Sequence, residues 1–211
     1  IKLATLGEQH PDTALNYNNL GNCYYYKSDY DQAIAYHQQA LTIKLATLSE
    51  QHPHTAHSYN NLGSCYYYKS DYTQAFAYHQ QALAINLATL GKQHLDAVET
   101  YHRLAQLYHT QSQYAQALHH YQLALQSLAL NVPNKDYYPL PKLAGYNSAV
   151  ELLEVLSAKA TTLAALYHQS QSPQDLSAAL AYYQCADALI DQMRQSYKTE
   201  GSKLLLAEKG K

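Results

Sequence analysis

The chain has 211 residues, of which 47% are hydrophobic and 14% are charged, and its formal net charge at pH 7 is −2. A chain of this length and apolar content can bury a substantial core. Only Arg103 and Arg194 among its fourteen basic residues are arginine, and no run of lysine or arginine occurs, which excludes the basic surface of a nucleic-acid-binding protein.

The composition gives no sign of a membrane protein or of a secreted, disulfide-bonded one. No apolar run approaches the roughly 18 residues that a membrane-spanning helix needs. Three cysteines do not make a disulfide framework. We therefore predict a cytoplasmic protein that binds neither membranes nor nucleic acid.

The first 126 residues consist of one sequence unit that occurs three times, with a period of 42 residues. Residues 1–42 and 43–84 differ at 8 of 42 positions, and residues 85–126 match the first copy at 19 positions. The same joint reads IKLATLGEQHP, IKLATLSEQHP and INLATLGKQHL in the three copies. A fixed period of this length indicates stacked units, none of which can bury its apolar face alone. We therefore predict a solenoid.

Each unit is predicted to form two helices. The first should begin near Pro11, because proline suits the first helical position, and should end by Lys27. Ser28 and Asp29 make the break, and Asp29 is a good N-cap for the second helix. The residues with helical spacing are Tyr17, Leu20, Gly21 and Tyr24 in the first helix, and Tyr30, Ala33, Ile34, His37, Ala40 and Leu41 in the second.

These spacings resemble the signature of the tetratricopeptide repeat family. The period of 42 residues and the sequence of the unit resemble the longer repeat of kinesin light chains. The resemblance covers residues 1 to about 130. It implies an all-α fold, namely a right-handed superhelical solenoid of antiparallel helical hairpins. The sequence departs from the family pattern where His37 and His79 replace an aromatic residue, Ser28 replaces a turn glycine and Leu45 replaces a proline.

The register of the repeat changes after residue 130. Residues 131–147 contain three of the six prolines and are predicted to form a connector. Ser148 and Glu151 suggest a capping box that opens a helix through about Gln169. Residues 148–197 then read as a divergent fourth hairpin whose turn is three residues longer, and residues 198–211 as the start of a further helix or a linker.

Both ends of the sequence suggest neighbouring segments. Residues 1–10 match the tail of a repeat, so we expect another unit upstream, and ends left open in this way would favour self-association. Residues 152–211 resemble the region that precedes the caspase-like peptidase domain of bacterial TPR-CHAT proteins. That resemblance implies such a domain after Lys211, although no His/Cys dyad lies within the sequence itself.

The chain carries no recognisable catalytic or metal-binding motif. His10, His52 and His94 recur at the repeat period, and equivalent positions on stacked helices are about 8–10 Å apart or more, too far for one zinc ion. Cys23 and Cys65 fail the distance limit for a disulfide in the same way. No HExxH, GxSxG or phosphate-binding glycine loop occurs. We therefore expect no enzyme active site and no cofactor.

A second stripe of side chains along the first helices is not required for the hairpin core. In tetratricopeptide repeat proteins the corresponding positions line the concave groove, so the resemblance places these residues there. Their carboxamides and phenols suit an extended peptide. The candidate peptide-binding residues are Asn18, Asn19, Asn22, Tyr25, Tyr26, His57, Asn60, Asn61, Ser64, Tyr67, Tyr68, His102, Arg103 and Gln106.

These features favour a non-catalytic interaction module whose partner is a protein or peptide, or an attached C-terminal domain of the same chain. A single basic residue, Arg103, does not make the carboxylate clamp that some members of the resembled family use. A neutral or mildly polar peptide fits better. The alternatives are a structural spacer or self-assembling scaffold, suggested by the near-identical copies, and a metal or redox protein, which metal analysis would reveal.

Overall fold

A computed structural model of the protein describes residues 9–128, Val132 and residues 137–209, with side chains described as far as Lys198. These residues form eight α-helices and no β-strand, which confirms the predicted all-α fold. The tail of an upstream repeat is expected in residues 1–10, of which residues 1–8 lie outside the described residues. In chain order the helices are α1 (Pro11–Tyr26), α2 (Tyr30–Thr47), α3 (Pro53–Tyr68), α4 (Tyr72–Thr89), α5 (Leu95–Thr110), α6 (Tyr114–Ser127), α7 (Ala149–Ser170) and α8 (Pro173–Lys209).

Consecutive helices form four hairpins that stack in chain order. The two helices of each hairpin pack most extensively on one another, and α2, α4 and α6 each also pack on the first helix of the next hairpin. Each hairpin therefore contacts mainly its neighbours in the chain, as in a solenoid.

Histidines begin the first helices of the three repeats. His10, His52 and His94 are the N-caps of α1, α3 and α5. In each case the ring Nδ1 accepts a hydrogen bond from the backbone amide two residues later, at 3.1, 3.1 and 3.2 Å. The period-spaced histidines are therefore joint residues at helix starts, as predicted.

Serine makes the turn inside each of the three repeat hairpins. Ser28, Ser70 and Ser112 have φ angles of 60°, 63° and 59°, in the left-handed region that favours glycine. Asp29 follows as the N-cap of α2, and its side chain accepts a hydrogen bond from the Gln32 amide at 3.2 Å. The turn geometry of the family is thus kept with serine in place of glycine.

The helices of a hairpin approach closely at glycine and alanine. Ala33 and Ala40 of α2 are completely buried. A Cβ atom on Gly63 would lie only 2.7 Å from the imidazole Cε1 of His79, and one on Gly21 would lie 2.6 Å from that of His37. Histidine therefore replaces the usual aromatic residue at these positions as a flat ring that packs directly against a glycine.

The fourth hairpin differs from the predicted one at its turn. α7 ends at Ser170 and α8 begins at Pro173, so only two residues separate them, compared with three in the repeats. The predicted longer turn is wrong because the extra residues are helical. Gln171 ends α7 with a left-handed φ of 54°, and Pro173 stands in the first helical turn of α8, where its missing amide is not needed.

α8 is also longer than predicted. It continues without a break through residue 198 to Lys209, so no separate element or linker begins at 198. No proline occurs in this segment, and a single glycine, Gly201, costs a helix only about 1 kcal/mol. At the start of α7, Ser148 is the N-cap as predicted, but its hydroxyl donates to the Glu151 carboxylate and caps no backbone amide.

A buried lysine joins the fourth hairpin to the third. Lys159 of α7 is completely buried, and its ammonium donates to the Gln122 carboxamide of α6 and, at 2.9 Å, to the Tyr182 hydroxyl of α8. Tyr182 donates in turn to the carbonyl of Pro139 at 2.7 Å, in the segment before α7. One polar network therefore connects three helices and the connector.

Candidate functional site

The fourteen candidate peptide-binding residues, here called the first-helix stripe, lie on α1, α3 and α5 at positions that repeat every 42 residues. Their surroundings differ from one repeat position to the next. Some are buried between hairpins, some link adjacent hairpins, and others line a cavity. The stripe therefore does not act as one uniform surface.

Three equivalent members of the stripe are buried, which leaves little of their surface for the ligand contacts that the sequence predicts. Asn18, Asn60 and His102 are only 7%, 6% and 8% exposed. The carboxamide of Asn60 donates to the Thr100 hydroxyl at 2.9 Å, and its oxygen lies 3.0 Å from the ring Nδ1 of His79. These residues fill the joints between hairpins, because a polar side chain there meets polar partners on the next helix.

Other members of the stripe connect adjacent repeats through hydrogen bonds. Asn61 of α3 donates to the Asn18 carboxamide of α1 at 2.9 Å. The Tyr67 hydroxyl of α3 lies 3.0 Å from the Thr110 hydroxyl of α5. These contacts hold the three first helices side by side.

The three consecutive tyrosines at the end of α1 have three different environments. Tyr24 stacks on Tyr36 of α2, with ring centroids 5.3 Å apart, so it belongs to the hairpin core. Tyr25 packs edge-on against Tyr68 of the next repeat at 5.6 Å, and burial raises the pKa of its phenol, with a smaller contribution from Tyr68. Tyr26 is 83% exposed and remains available to a partner.

A cavity of about 210 Å³ lies at the centre of the stripe, and we call it the central cavity. Side chains from all three repeats line it. Most belong to the stripe, whereas His37 and Glu99 were not among the predicted residues. The lining residues are Asn22, Tyr25, Tyr26, His37, His57, Asn61, Ser64, Glu99 and Arg103.

Arg103 is the only cation among the residues that line the central cavity. Its guanidinium lies 3.6 Å from the Glu99 carboxylate and donates a long hydrogen bond, at 3.4 Å, to the Gln106 carboxamide. Its Nε is buried and has no hydrogen-bond partner among the described residues. Glu99 balances the charge, so the cavity is close to neutral.

His37 has the same helix position as His79 but a different environment. Whereas His79 Nδ1 pairs with Asn60, the buried Nδ1 of His37 has no partner among the described residues. Burial lowers the pKa of His37 to about 4, with smaller contributions from His57 and Lys44, so the ring is neutral at pH 7. A neutral imidazole offers one donor and one acceptor.

A larger cavity of about 670 Å³ adjoins the stripe at His57, and sequence reasoning missed most of its lining. Leu15, Leu48 and Leu90 give it an apolar wall, and Lys44 reaches it from α2. Leu15 is 56% exposed and Leu48 is 36% exposed. The recurrence of leucine at positions 48 and 90, beside the joint and off the core pattern, is the sequence signal that could have identified it.

Lys44 is held in place at the edge of this larger cavity. Its ammonium donates to the Ser58 hydroxyl at 2.7 Å and to the His54 carbonyl at 3.1 Å. Burial lowers its pKa to about 8. The equivalent residue in the next repeat is Asn86, which donates to the Asp96 carbonyl at 3.3 Å and lies 3.4 Å from the Thr100 hydroxyl. Asp96 and Thr100 are the counterparts of His54 and Ser58, so a lysine and an asparagine make equivalent contacts at the two joints.

The site offers hydrogen bonds and apolar contact and has few reactive groups. Among the described residues, no group of three or more His, Cys, Asp and Glu side chains is arranged to hold a metal ion. Cys65 is buried and free, and burial raises the pKa of its thiol to about 12, which disfavours the nucleophilic thiolate. Within the described part of the chain, no helix is long and apolar enough to span a bilayer.

Comparison with known proteins identifies relatives of the repeat region. The family model described as "Tetratricopeptide repeat" matches residues 1–46, 29–88 and 54–129. No curated protein sequence matches the chain significantly.

Two solved structures share the fold. BtubC (BKLC) from P. vanneervenii has a TM-score of 0.71 and 20% identity, and the alignment covers 87% of this chain and 66% of that protein. A structure described as "kinesin light chain nearly identical TPR-like repeats" from P. anserina has a TM-score of 0.55 and 20% identity, over 90% of this chain and 98% of the other. This chain spans about two thirds of the length of BtubC.

Proposed function

The chain belongs to the tetratricopeptide repeat family, whose fold is that of a protein–protein interaction module, and we propose that it binds an extended peptide segment of a partner along the first-helix stripe. The binding is non-catalytic. The partner lies across α1, α3 and α5, because the exposed and half-buried members of the stripe are distributed over these three helices.

The observation that supports this proposal most strongly is the central cavity. Three successive hairpins contribute its lining, so it exists only when the repeats are stacked. A partner that crosses the stack would meet the carboxamides of Asn22 and Asn61, the Ser64 hydroxyl and the exposed ring of Tyr26. Carboxamides match the donors and acceptors of a peptide backbone, and tyrosine adds apolar area with a polar tip.

The charge of the site favours a neutral or mildly polar partner. Arg103 is already paired with Glu99, so it offers little net attraction to a carboxylate. The neighbouring larger cavity, with Leu15, Leu48 and Leu90 in its wall, suits an apolar side chain of the same peptide. An extended peptide could therefore place a polar residue and an apolar residue in adjacent cavities.

Peptide selection tests the proposal. Peptides selected from a random library on the intact chain should bind the wild-type protein and lose binding when Asn19, Asn61 and Arg103 are all changed to alanine. The matched control changes Gln32, Gln74 and Gln116, exposed and equivalent residues of the second helices, to alanine. Binding retained by the stripe variant, at unchanged helicity, would contradict the proposed surface.

Self-association is a second candidate function, and the outer face of α1 favours it. Leu20 is 39% exposed, whereas Leu62, its equivalent in α3, is completely buried by the preceding hairpin. Cys23 is exposed, whereas its equivalent Cys65 is buried. Light scattering over a hundredfold concentration range distinguishes the two functions: a scaffold gains mass with concentration, and a monomeric binding module does not.

The C-terminal resemblance supports a finer proposal, that peptide capture regulates an attached caspase-like peptidase in the cytoplasm. Reading the native coding sequence beyond Lys211 tests it. A following domain with a His/Cys dyad would support the regulatory role. A stop codon directly after Lys211 would contradict it and leave the binding module without that role.

A further inference from the structure

We propose that the central cavity is an anchor subsite for one carboxamide side chain, glutamine or asparagine, of the bound peptide. This inference rests on the proposed function and adds the identity of the residue that the cavity accepts. It starts from two buried polar atoms that have no partner within the described part of the chain, Nδ1 of His37 and Nε of Arg103. Both residues line the same cavity.

His37 lacks a hydrogen-bond partner at Nδ1 among the described residues, whereas its equivalent in the next repeat has one. In the next repeat His79 pairs with Asn60, and Asn60 donates to the Thr100 hydroxyl. The equivalents in the first repeat are Asn18 and Ser58. Here the Asn18 oxygen accepts from Asn61, and the Ser58 hydroxyl accepts from Lys44 at 2.7 Å. The Asn18 oxygen thus bonds to Asn61, and Nδ1 of His37 is left without the partner that Asn60 gives to His79.

An unpartnered polar atom in a buried position calls for a ligand group. Buried polar groups in proteins are hydrogen-bonded in the great majority of cases, and an unpaired one costs about 1–3 kcal/mol. His37 is only 1% exposed, so bulk water does not solvate its ring freely. A group that enters the cavity and pairs with His37 and Arg103 would recover this cost.

The chemistry of the two atoms defines that group. Arg103 Nε carries a hydrogen and therefore requires an acceptor, whereas the neutral ring of His37 can take a donor at Nδ1. A carboxamide supplies an acceptor oxygen and a donor nitrogen on one neutral, planar group. A carboxylate offers only acceptors and would be repelled by Glu99, 3.6 Å from the guanidinium, and an ammonium would be repelled by Arg103.

The size of the cavity fits one side chain and excludes a longer segment. Its volume of about 210 Å³ corresponds to roughly seven water molecules at about 30 Å³ each. Asn22, Asn61 and Ser64 surround the opening with further neutral donors and acceptors, and no second cation lines it. The remainder of the peptide would lie outside, along the stripe.

Capped amino acids test the subsite directly. The probes are N-acetyl amides of glutamine, glutamate, lysine and alanine, which share their main-chain amides and differ in the side chain. Binding to the intact chain is followed by NMR, through the backbone amides of Asn61 and Ser64 and the ring signals of His37. We expect saturable shifts with the glutamine probe and none with the alanine probe.

Three variants make the test specific. Changing His37 to phenylalanine keeps a flat ring against Gly21 but removes both ring nitrogens. Changing Arg103 to lysine keeps the charge beside Glu99 but removes the Nε hydrogen. Each should weaken glutamine binding about tenfold, the effect of losing one hydrogen bond to a buried partner. The matched control, His79 to phenylalanine in the next repeat, should leave it unchanged.

The other outcomes would overturn the subsite. Equal or stronger shifts with the glutamate or lysine probe would contradict the carboxamide assignment. Equal shifts with all four probes would indicate binding through main-chain amides, and the absence of any shift would indicate a cavity filled only by water. Loss of selected peptides from the stripe variant is measured separately, so peptide binding can hold even where the carboxamide subsite fails.

Discussion

At the scale of single residues, Gly63 and His79 form a close contact between the two helices of the second repeat hairpin. A Cβ atom at position 63 would come within 2.7 Å of a ring that is only 1% exposed. The ring cannot move aside, because its Nδ1 is bonded to Asn60. The small residue at this position is therefore a steric requirement of the imidazole beside it.

Replacing Gly63 with alanine should destabilise the protein by about 1–3 kcal/mol, since overpacking forces a buried ring to shift. Urea unfolding measures this loss. The same change in a variant with alanine at His79 should cost much less, because the obstructing ring is gone. Equal costs in the two backgrounds would contradict the proposed steric contact. In the third repeat the corresponding pair is Ala105 and Tyr121, both buried in one core cluster.

Buried histidines should make the stability depend on pH. Burial lowers the pKa of His37 to about 4, that of His79 to about 3 and that of His102 to about 4, from an ordinary value of 6.5. The unfolded chain therefore binds more protons below pH 6.5 than the folded chain. Stability is fully present above that pH and falls as the pH drops toward 4, by up to about 1.4 kcal/mol per pH unit for each ring.

Urea midpoints measured at pH 7, 6 and 5 test this prediction in a range where most carboxylates stay ionised. The midpoint should fall steadily, and replacing His79 with phenylalanine should reduce the slope. A midpoint that stays constant from pH 7 to pH 5 would show that these rings are protonated in the folded chain.

The sequence predicts the environment of a residue well where that environment depends on a single helix. It predicts the environment less well where two hairpins pack together. Proline, histidine and aspartate at the helix starts and the alanines of the core follow from local rules. The burial of Asn60 and His102 does not, because it depends on Thr100 and on neighbouring hairpins whose register a single helical wheel does not contain. His37 was missed as a cavity residue for the same reason.

At the scale of helices, the fourth hairpin contains a buried hydrogen-bond network that its sequence pattern does not predict. Lys159 occupies a core position of α7, and nothing in the residue spacing marks it as buried. Its partners Gln122 and Tyr182 are distant in the sequence, so only the packed structure brings them together. Similarly, the repeat register shows that the fourth hairpin has three extra residues near its turn. It does not show that these residues are helical.

Replacing Lys159 with methionine should cost about 1–3 kcal/mol, since Gln122 and Tyr182 would each lose the ammonium that bonds them in the core. Methionine preserves the length of the side chain, so little packing is lost. Thermal unfolding would report the change, with Lys142 to methionine, an exposed position in the segment before α7, as the control. Equal stability of the two variants would show that the network contributes nothing.

At the scale of the whole molecule, the repeat period predicted a solenoid and the helical spacing predicted two helices in each unit. The resemblance to tetratricopeptide repeats implied the all-α stack of hairpins. That prediction was secure because a 42-residue period with two amphipathic segments has few other solutions. The same periodicity could not reveal where the stack leaves space. The central cavity and the larger leucine-lined cavity are each lined by residues from all three copies, so they form only when the copies are stacked.

The most direct test of the binding account is to map where a selected peptide contacts the chain. A photo-crosslinking residue, p-benzoylphenylalanine, would replace Tyr26, which is 83% exposed and lines the central cavity, or Tyr197, which is 69% exposed on α8. We predict crosslinking of the peptide at position 26 and none at position 197. Crosslinking at position 197 with none at position 26 would contradict the assignment of the first-helix stripe as the binding surface.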